Sequence, residues 1–230
     1  MQDKHVLITG GSGGLGCAVT KLALERGAHV VVPIFHERET ERLRKVLGGD
    51  HDRLSLPEAD LSDEGQVSGI ISAMPRTDVL IHLVGGFTMG PTHEQSLEQW
   101  RAHHDLTLTT TFLCCKHALG RMRTQGYGRI VTIGSKAAKT PMAKMAAYSA
   151  AKAGVVALTT VIAEETKGTD VTANCVLPSV IDTPANRDAM GDADAHKWVT
   201  PESLAEVICY LASSAARDIR GAAVPVYGSM

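Results

Sequence analysis

His5-Val6-Leu7-Ile8-Thr9, followed by Gly10-Gly11-Ser12-Gly13-Gly14-Leu15-Gly16, is the stretch from which the fold can be read. The first five residues form a short, continuously apolar run of the kind that a parallel sheet buries on both faces. The next seven are mostly glycine, and beyond them Leu15, Ala18, Val19, Leu22 and Ala23 recur at helical spacing. Strand, glycine loop and helix in that order is the context in which a glycine cluster signals dinucleotide binding. Glycine permits positive φ and lets the backbone approach a pyrophosphate, which the N-terminus of the following helix then stabilises.

The chain repeats this unit outward. Strand patterns fall at 28–35, 53–59, 78–84, 128–133, 171–177 and 222–226. Helical patterns fall between them, a charged one at 38–46, a long one at 97–122 and another at 148–167. Alternation of this kind predicts an α/β fold, a Rossmann-type doubly wound parallel sheet of seven strands in the order 3-2-1-4-5-6-7 with helices on both faces. Pro57 and Pro225 then fall on the two edge strands, where sheets tolerate proline, whereas Pro33 sits oddly in an internal one. With no linker, repeat or low-complexity segment, residues 1–230 read as one nucleotide-binding domain.

The chemistry gathers at 135–152. Ser135 stands at a strand end, Tyr148 follows near a helix start, and Lys152 comes four residues later. On a helix Lys152 shares a face with Tyr148. A free phenol titrates near ~10, and a cation within a few ångströms can lower that by roughly 1–3 units. A hydroxyl, an activated phenol and an ammonium together make a proton-transfer device for interconverting an alcohol and a carbonyl. Tyr-x-x-x-Lys alone is also an ordinary helix start, so the glycine loop upstream carries much of the weight.

Cofactor choice is legible at the end of the second strand. An acidic residue there would hold the ribose 2′-hydroxyl of NAD, but Ile34 occupies that place. His36, Arg38 and Arg42 lie just beyond and favour the 2′-phosphate of NADPH, while Glu37 and Glu39 keep NAD open. Asp60, after the third strand, is placed either to cap the next helix or to touch the adenine.

Composition excludes other classes. The net charge of −2 gives no reason to expect nucleic acid or an anionic membrane. Five scattered cysteines with no Cys-x-x-Cys indicate neither a disulfide framework nor a zinc site, and ten histidines show no ligand spacing, so no metal is expected. The N-terminus does not read as a signal peptide, no apolar run approaches the roughly 20 residues of a membrane span, and a cytoplasmic protein with reduced thiols is expected.

On these residues the chain resembles the short-chain dehydrogenase/reductase family over nearly its whole length. Thr9-Gly10-x-x-x-Gly14-x-Gly16 is similar to the cofactor loop of the family's shorter branch, Ser135 precedes Tyr148 at the usual spacing, and Asn174-x-x-x-Pro178 with Asp182-Thr183 resembles the segment after the sixth strand. The resemblance implies hydride transfer between NAD(P)(H) and a small carbonyl or alcohol. Tyr148 would be the general acid, Lys152 would bind the nicotinamide ribose and lower the pKa of Tyr148, and Ser135 would orient the carbonyl. It implies cofactor contacts at Gly10, Ser12, Gly13, Gly14, Leu15 and Gly16, at His36 and Arg38, at Asp60 and Leu61, at Val84, Gly85 and Gly86, and at Pro178, Val180, Ile181 and Thr183, besides Tyr148 and Lys152.

Three departures stand out. His82-Leu83-Val84-Gly85 replaces the usual Asn-Asn-Ala-Gly, Thr107 falls where a helical asparagine helps to hold a relay water, and Ser179 replaces a glycine. Leu83-Val84-Gly85-Gly86-Phe87, 182–187 with Met190, and 198–201 look like dihydropteridine reductase, which makes reduction of a pterin or quinonoid ring an alternative. The loss at Thr107 supports a second alternative, a cofactor sensor without chemistry, against which the intact Ser135, Tyr148 and Lys152 argue.

Phe87, Met89, Met142, Met145, Met190 and Trp198 are expected around the substrate and suit an apolar or flat ring, although methionine is also ordinary core filler. The segment 184–199 reads as a polar loop able to close as a lid. The helices at 97–122 and 148–167 carry apolar residues on more than one face (Leu106, Leu108, Phe112 and Leu113, then Val155, Val156 and Ile162), which predicts a homotetramer or homodimer.

Overall fold

A computed structural model of the chain describes residues 1–229. Seven strands form one parallel sheet in the order β3-β2-β1-β4-β5-β6-β7, the expected order. They are β1 (His5–Thr9), β2 (His29–Val31), β3 (Leu54–Ser55), β4 (Val79–His82), β5 (Gly128–Ile133), β6 (Val171–Pro178) and β7 (Ala223–Val226). The helices between them are α1 (Gly16–Glu25), α2 (Glu37–Leu47), α3 (Glu64–Ala73), α4 (Leu97–His104), α5 (Thr110–Gln125), α6 (Ala146–Glu165), α7 (Pro184–Met190) and α8 (Pro201–Leu211).

Strand residues alternate between the two faces, so one apolar run serves two cores. Val6, Ile8, Val30, Val79 and Ile81 pack with α1 and α8 through Val19, Ala23, Leu204 and Ile208. Leu7, Leu80, Ile130 and Ala173 face α3, α5 and α6 through Val67, Ile71, Leu113, Met122 and Ile162. Each Val, Leu, Ile or Met side chain among these contributes about 1.5–3 kcal/mol on full burial.

The strands near the β3 edge are shorter than expected. The expected strand at 53–59 reduces to Leu54–Ser55 plus an isolated bridge from Ile34 to Glu58. Pro33 is accounted for here. The N–H groups of Val30, Val32 and Ile34 all point to the β3 side, so residue 33 faces β1, and the β1 ladder has already ended at Leu7↔Val31. Pro225 lies on the edge strand β7, as expected.

Two further expectations are corrected. The helix expected at 97–122 runs without a break from Leu97 to Gln125, but a π-turn over Asp105–Thr109 widens it between α4 and α5. The lid segment is not a plain loop: it contains α7, capped by the Thr183 hydroxyl, and a 3₁₀ turn at Ala195–Lys197. In addition, α6 is by length and composition apolar enough to cross a membrane, which the sequence reading did not anticipate. Much of that apolarity serves packing, since Ala147, Ala151, Val155, Ile162 and Ala163 are buried within the fold.

Candidate active site

The carboxyl ends of β1, β4, β5 and β6 open into one crevice, the place where doubly wound sheets hold ligands. At its floor the glycines are required by contact. A Cβ on Gly16 would stand 2.0 Å from the Gly10 carbonyl oxygen, so only glycine lets α1 start against the loop. Gly10 has φ +69°, and a Cβ there would lie 3.2 Å from the Val84 amide nitrogen. A Cβ on Gly14 would lie 2.8 Å from Thr183 Cγ2, so residues far apart in sequence meet on one wall. Ser12, Gly13 and Leu15 complete the loop, with the Gly13 amide donating to the Gly10 carbonyl. This cradle, open to backbone contact and ending at a helix N-terminus, fits a dinucleotide pyrophosphate.

The adenosine end carries positive charge. Ile34 is buried, and the Glu39 carboxylate turns back to accept from the Phe35 and His36 amides at 2.9 and 3.4 Å, so it is committed to the start of α2. His36, Arg38 and Arg42 are exposed, and Arg42 Nη1 donates to the Ser12 carbonyl at 3.3 Å. Asp60 does not cap α3. That place belongs to Asp63, which accepts from the Gln66 amide, whereas Asp60 accepts from the amide and hydroxyl of Ser62 beside half-buried Leu61.

Ser135, Tyr148 and Lys152 converge at the end of β5. Ser135 is buried and its Oγ accepts from the Ala137 amide at 3.1 Å, which leaves its own proton free to donate into the crevice. Lys152 is buried and donates a hydrogen bond to the Ile133 carbonyl at 2.8 Å. Burial pushes this ammonium down to about 8, with Cys175 opposing. A Cβ on Gly85 would stand 3.1 Å from Lys152 Nζ, so Gly85 keeps open the space into which the ammonium points.

The expected lowering of Tyr148 by Lys152 is not found. Burial raises the phenol above its ordinary value, and the group that opposes this is the Ser135 hydroxyl. The hydrogen bond that Lys152 makes is to the Ile133 carbonyl and not to the phenol.

Above the phenol, Phe87 packs edge-on at a ring separation of 5.1 Å. The loop bearing it is tied down by the Gly90 amide donating to the Lys144 carbonyl at 2.8 Å, and Lys144 adopts a left-handed φ of +68°. A strained non-glycine residue beside an active site is a recurrent sign of function. Met89, Met142 and Met190 are exposed and Met145 is half-buried, but Trp198 is buried and has almost no surface left for a ligand.

Pro178 closes β6, and Val180 bridges to Val199 through its carbonyl. Ile181 accepts from the Asn186 side chain, and Asp182 forms a two-point pair with Arg187 at 2.6 and 2.7 Å, so the segment carrying Thr183 is well anchored. Ser179, one of the sequence departures, donates to the Tyr227 carbonyl at 2.8 Å and joins this segment to the end of β7.

Two histidines near this site were given no role by the sequence reading. His82, at the end of β4, is fully buried between Thr9 Oγ1 at 2.8 Å and Thr110 Oγ1 at 3.4 Å. His103 packs against Tyr148 at a ring separation of 5.9 Å. The available signal for His103 was its i,i+4 spacing to Thr107, which puts both on one helix face.

Comparisons with known proteins place the whole chain in one family. The short chain dehydrogenase profile matches residues 4–193. D-threitol dehydrogenase of Mycolicibacterium smegmatis is 30% identical over 99% of this chain and 93% of its own length. Cis-4-hydroxycyclohexanecarboxylate dehydrogenase of Sinomonas cyclohexanicum is 32% identical over 98% of this chain and 96% of its own. The crystal structure of levodione reductase superposes with a TM-score of 0.92 at 25% identity, covering 99% of this chain and 97% of the other. The chain belongs to the short-chain dehydrogenase/reductase family and is an NAD(P)-dependent oxidoreductase that interconverts a carbonyl and an alcohol on a small molecule.

Proposed function

We propose that the substrate is a ring ketone or its secondary alcohol, with Tyr148 as the proton donor in reduction. The observation that carries this is the convergence at the end of β5 of buried Ser135 and Lys152 with half-buried Tyr148, beside exposed Phe87, Met89 and Met142. Ser135 has a free hydroxyl proton to orient the carbonyl. Tyr148 gives its proton to the carbonyl oxygen as that oxygen gains charge. Lys152, charged below about 8, would hold the ribose hydroxyls beside Gly85. NAD(P)H, when bound, supplies the hydride. These apolar side chains suit a ring, and the similarity to a dehydrogenase of a hydroxylated cyclohexane supports that substrate class.

NADPH is the favoured cofactor, because Glu39 is committed to capping and exposed Arg38 and Arg42 remain at the ribose end. A homotetramer or homodimer is supported by exposed Leu106, Phe112 and Val161 on the outer faces of the π-turn, α5 and α6. Leu113, Val155 and Ile162, expected on those faces, lie in the core instead. Five buried free cysteines suit a reducing cytoplasm.

The test is NADPH oxidation with cyclohexanones, a ketose and quinonoid dihydropterin, for the parent and Tyr148→Phe. The ring ketone should be turned over, and Tyr148→Phe should lose about 10²–10⁴-fold with cofactor affinity retained. Turnover of the dihydropterin alone would replace the substrate, and a Tyr148→Phe variant as active as the parent would remove Tyr148 from its role.

A further inference from the structure

His103 lies near the end of α4, one turn before Thr107 and on the same helix face. Its side chain is only 7% exposed, and Nε2 is buried with no hydrogen-bond partner. Such an atom is rare in folded chains and calls for an explanation. Its ring leans on the phenol of Tyr148, with centroids 5.9 Å apart and planes inclined at 56°. Phe87, at 5.1 Å, also packs on the phenol, and it is apolar, so of these two aromatic neighbours only His103 can exchange a proton with Tyr148. The charged and titratable groups around the imidazole are Tyr148 and Lys152 from α6 and His104 from its own helix. Burial first, then His104 and Lys152, keep it neutral. A neutral imidazole has one donor and one acceptor nitrogen, and can pass a proton without holding a charge.

We propose that His103 is a relay residue for Tyr148, its Nε2 pairing with the phenol oxygen directly or through one water and returning the proton that Tyr148 gives up in each reduction. This rests on Tyr148 being the proton donor. In reduction the Tyr148 O–H bond breaks, and its proton goes to the carbonyl oxygen as the carbon receives the hydride. The phenolate then takes the proton of His103 Nε2 while Nδ1 binds one from a hydronium or buffer acid. The imidazole ends neutral in its other tautomer, and exchange with water resets it. One solvent proton is consumed per carbonyl reduced, and oxidation runs the same steps in reverse. Thr107 Oγ1 is also buried and unpartnered, but an aliphatic hydroxyl does not titrate in this range.

The test begins with the ultraviolet ionisation of tyrosine, read as the difference between each protein and its Tyr148→Phe counterpart. In His103→Phe the Tyr148 transition should move up by about one pH unit, because the phenolate loses a donor. In His103→Gln, whose amide can still donate, it should stay near the parent value. With NADPH and a ring ketone, both variants should lose at least about tenfold in kcat with KM nearly unchanged, since the amide cannot relay. Added imidazole should restore part of the rate to His103→Phe. An unmoved Tyr148 transition in His103→Phe would overturn the pairing, and full kcat in His103→Gln would overturn the relay. The titration needs no turnover, so an inactive parent would count against the proposed reaction while His103 is still judged on its own.

Discussion

His82 should make the protein lose stability well above the pH at which its carboxylates protonate. The Thr110 hydroxyl donates to the Leu106 carbonyl at 2.7 Å, so toward His82 it can only accept, from Nε2–H. Nδ1 then accepts from Thr9, and the neutral ring is served on both sides. Burial first, and Lys152 second, bring its pKa down to about 3 from an ordinary value near 6.5. The sign follows from proton counting. Between these two values the unfolded chain binds a proton at this position and the folded chain does not, so stability falls as pH drops through the ordinary value. From about pH 7.5 to about pH 5 the loss is about 2 kcal/mol, or roughly 4–8 °C in Tm for a chain of this size. The assay is thermal unfolding of the parent and His82→Asn across that range. His5 and His103, also held low, contribute equally to both proteins, so the difference between the two profiles isolates His82. Parallel profiles would refute the reasoning and mean that His82 is protonated in the folded state or reached by solvent.

Lys152 should lose its charge as pH rises through about 8, so NADPH affinity of the free enzyme, followed by fluorescence titration, should weaken above that point. Lys152→Ala should remove the pH dependence and weaken binding roughly 10- to 100-fold, as expected for a lost charged hydrogen bond. Arg42→Ala should raise the NADPH Kd about tenfold, near 1.4 kcal/mol, and leave NADH unchanged. Tighter NADH than NADPH binding in the parent would shift the ribose contact to Glu37. Light scattering behind a sizing column should give a dimer or tetramer mass, and Phe112→Lys with Val161→Lys should lower it. A monomeric parent at micromolar concentration would leave those exposed residues without a partner.

The fold was legible because its signals are local. Apolar runs at β1, β4, β5 and β6 are buried on both faces, and parallel strands of that kind need helical crossovers between them. The edges were less legible because the length of a strand depends on its neighbour. The 53–59 pattern yields two ladder residues since β2 itself ends at Val31. The spacing of Ser135, Tyr148 and Lys152 correctly brought three groups together at one strand end. What spacing does not carry is where each polar atom finds its partner. Lys152 sits one turn from Tyr148 as expected, yet its hydrogen bond goes to the Ile133 carbonyl, and burial raises the phenol.

The departures at His82 and Thr107 look independent in sequence, but the structure brings them to one feature, the π-turn at Asp105–Thr109. Such turns widen a helix locally and are frequent at functional sites. Here the widened turn is bounded by threonines: Thr110 donates to the Leu106 carbonyl and Thr111 to the Thr107 carbonyl. Thr110 is also the partner of His82, so the residue in the usual asparagine position of β4 packs directly against the turn. Thr107, at the turn's centre, points its hydroxyl toward the same space at Gly85 as Lys152 Nζ: a Cβ there would lie 3.7 Å from the one and 3.1 Å from the other. One turn earlier, His103 faces Tyr148. A single asparagine at either position would therefore not restore the usual arrangement, because the threonines and histidines hold the turn jointly. Coupling of this kind is measurable. Residues sharing one network show interaction energies of about 0.5–3 kcal/mol in double-mutant cycles. His82→Asn combined with Thr110→Val should thus be less destabilising than the sum of the two single changes, since either one already removes the same hydrogen bond. Strict additivity in chemical unfolding would show that β4 and the π-turn are held separately.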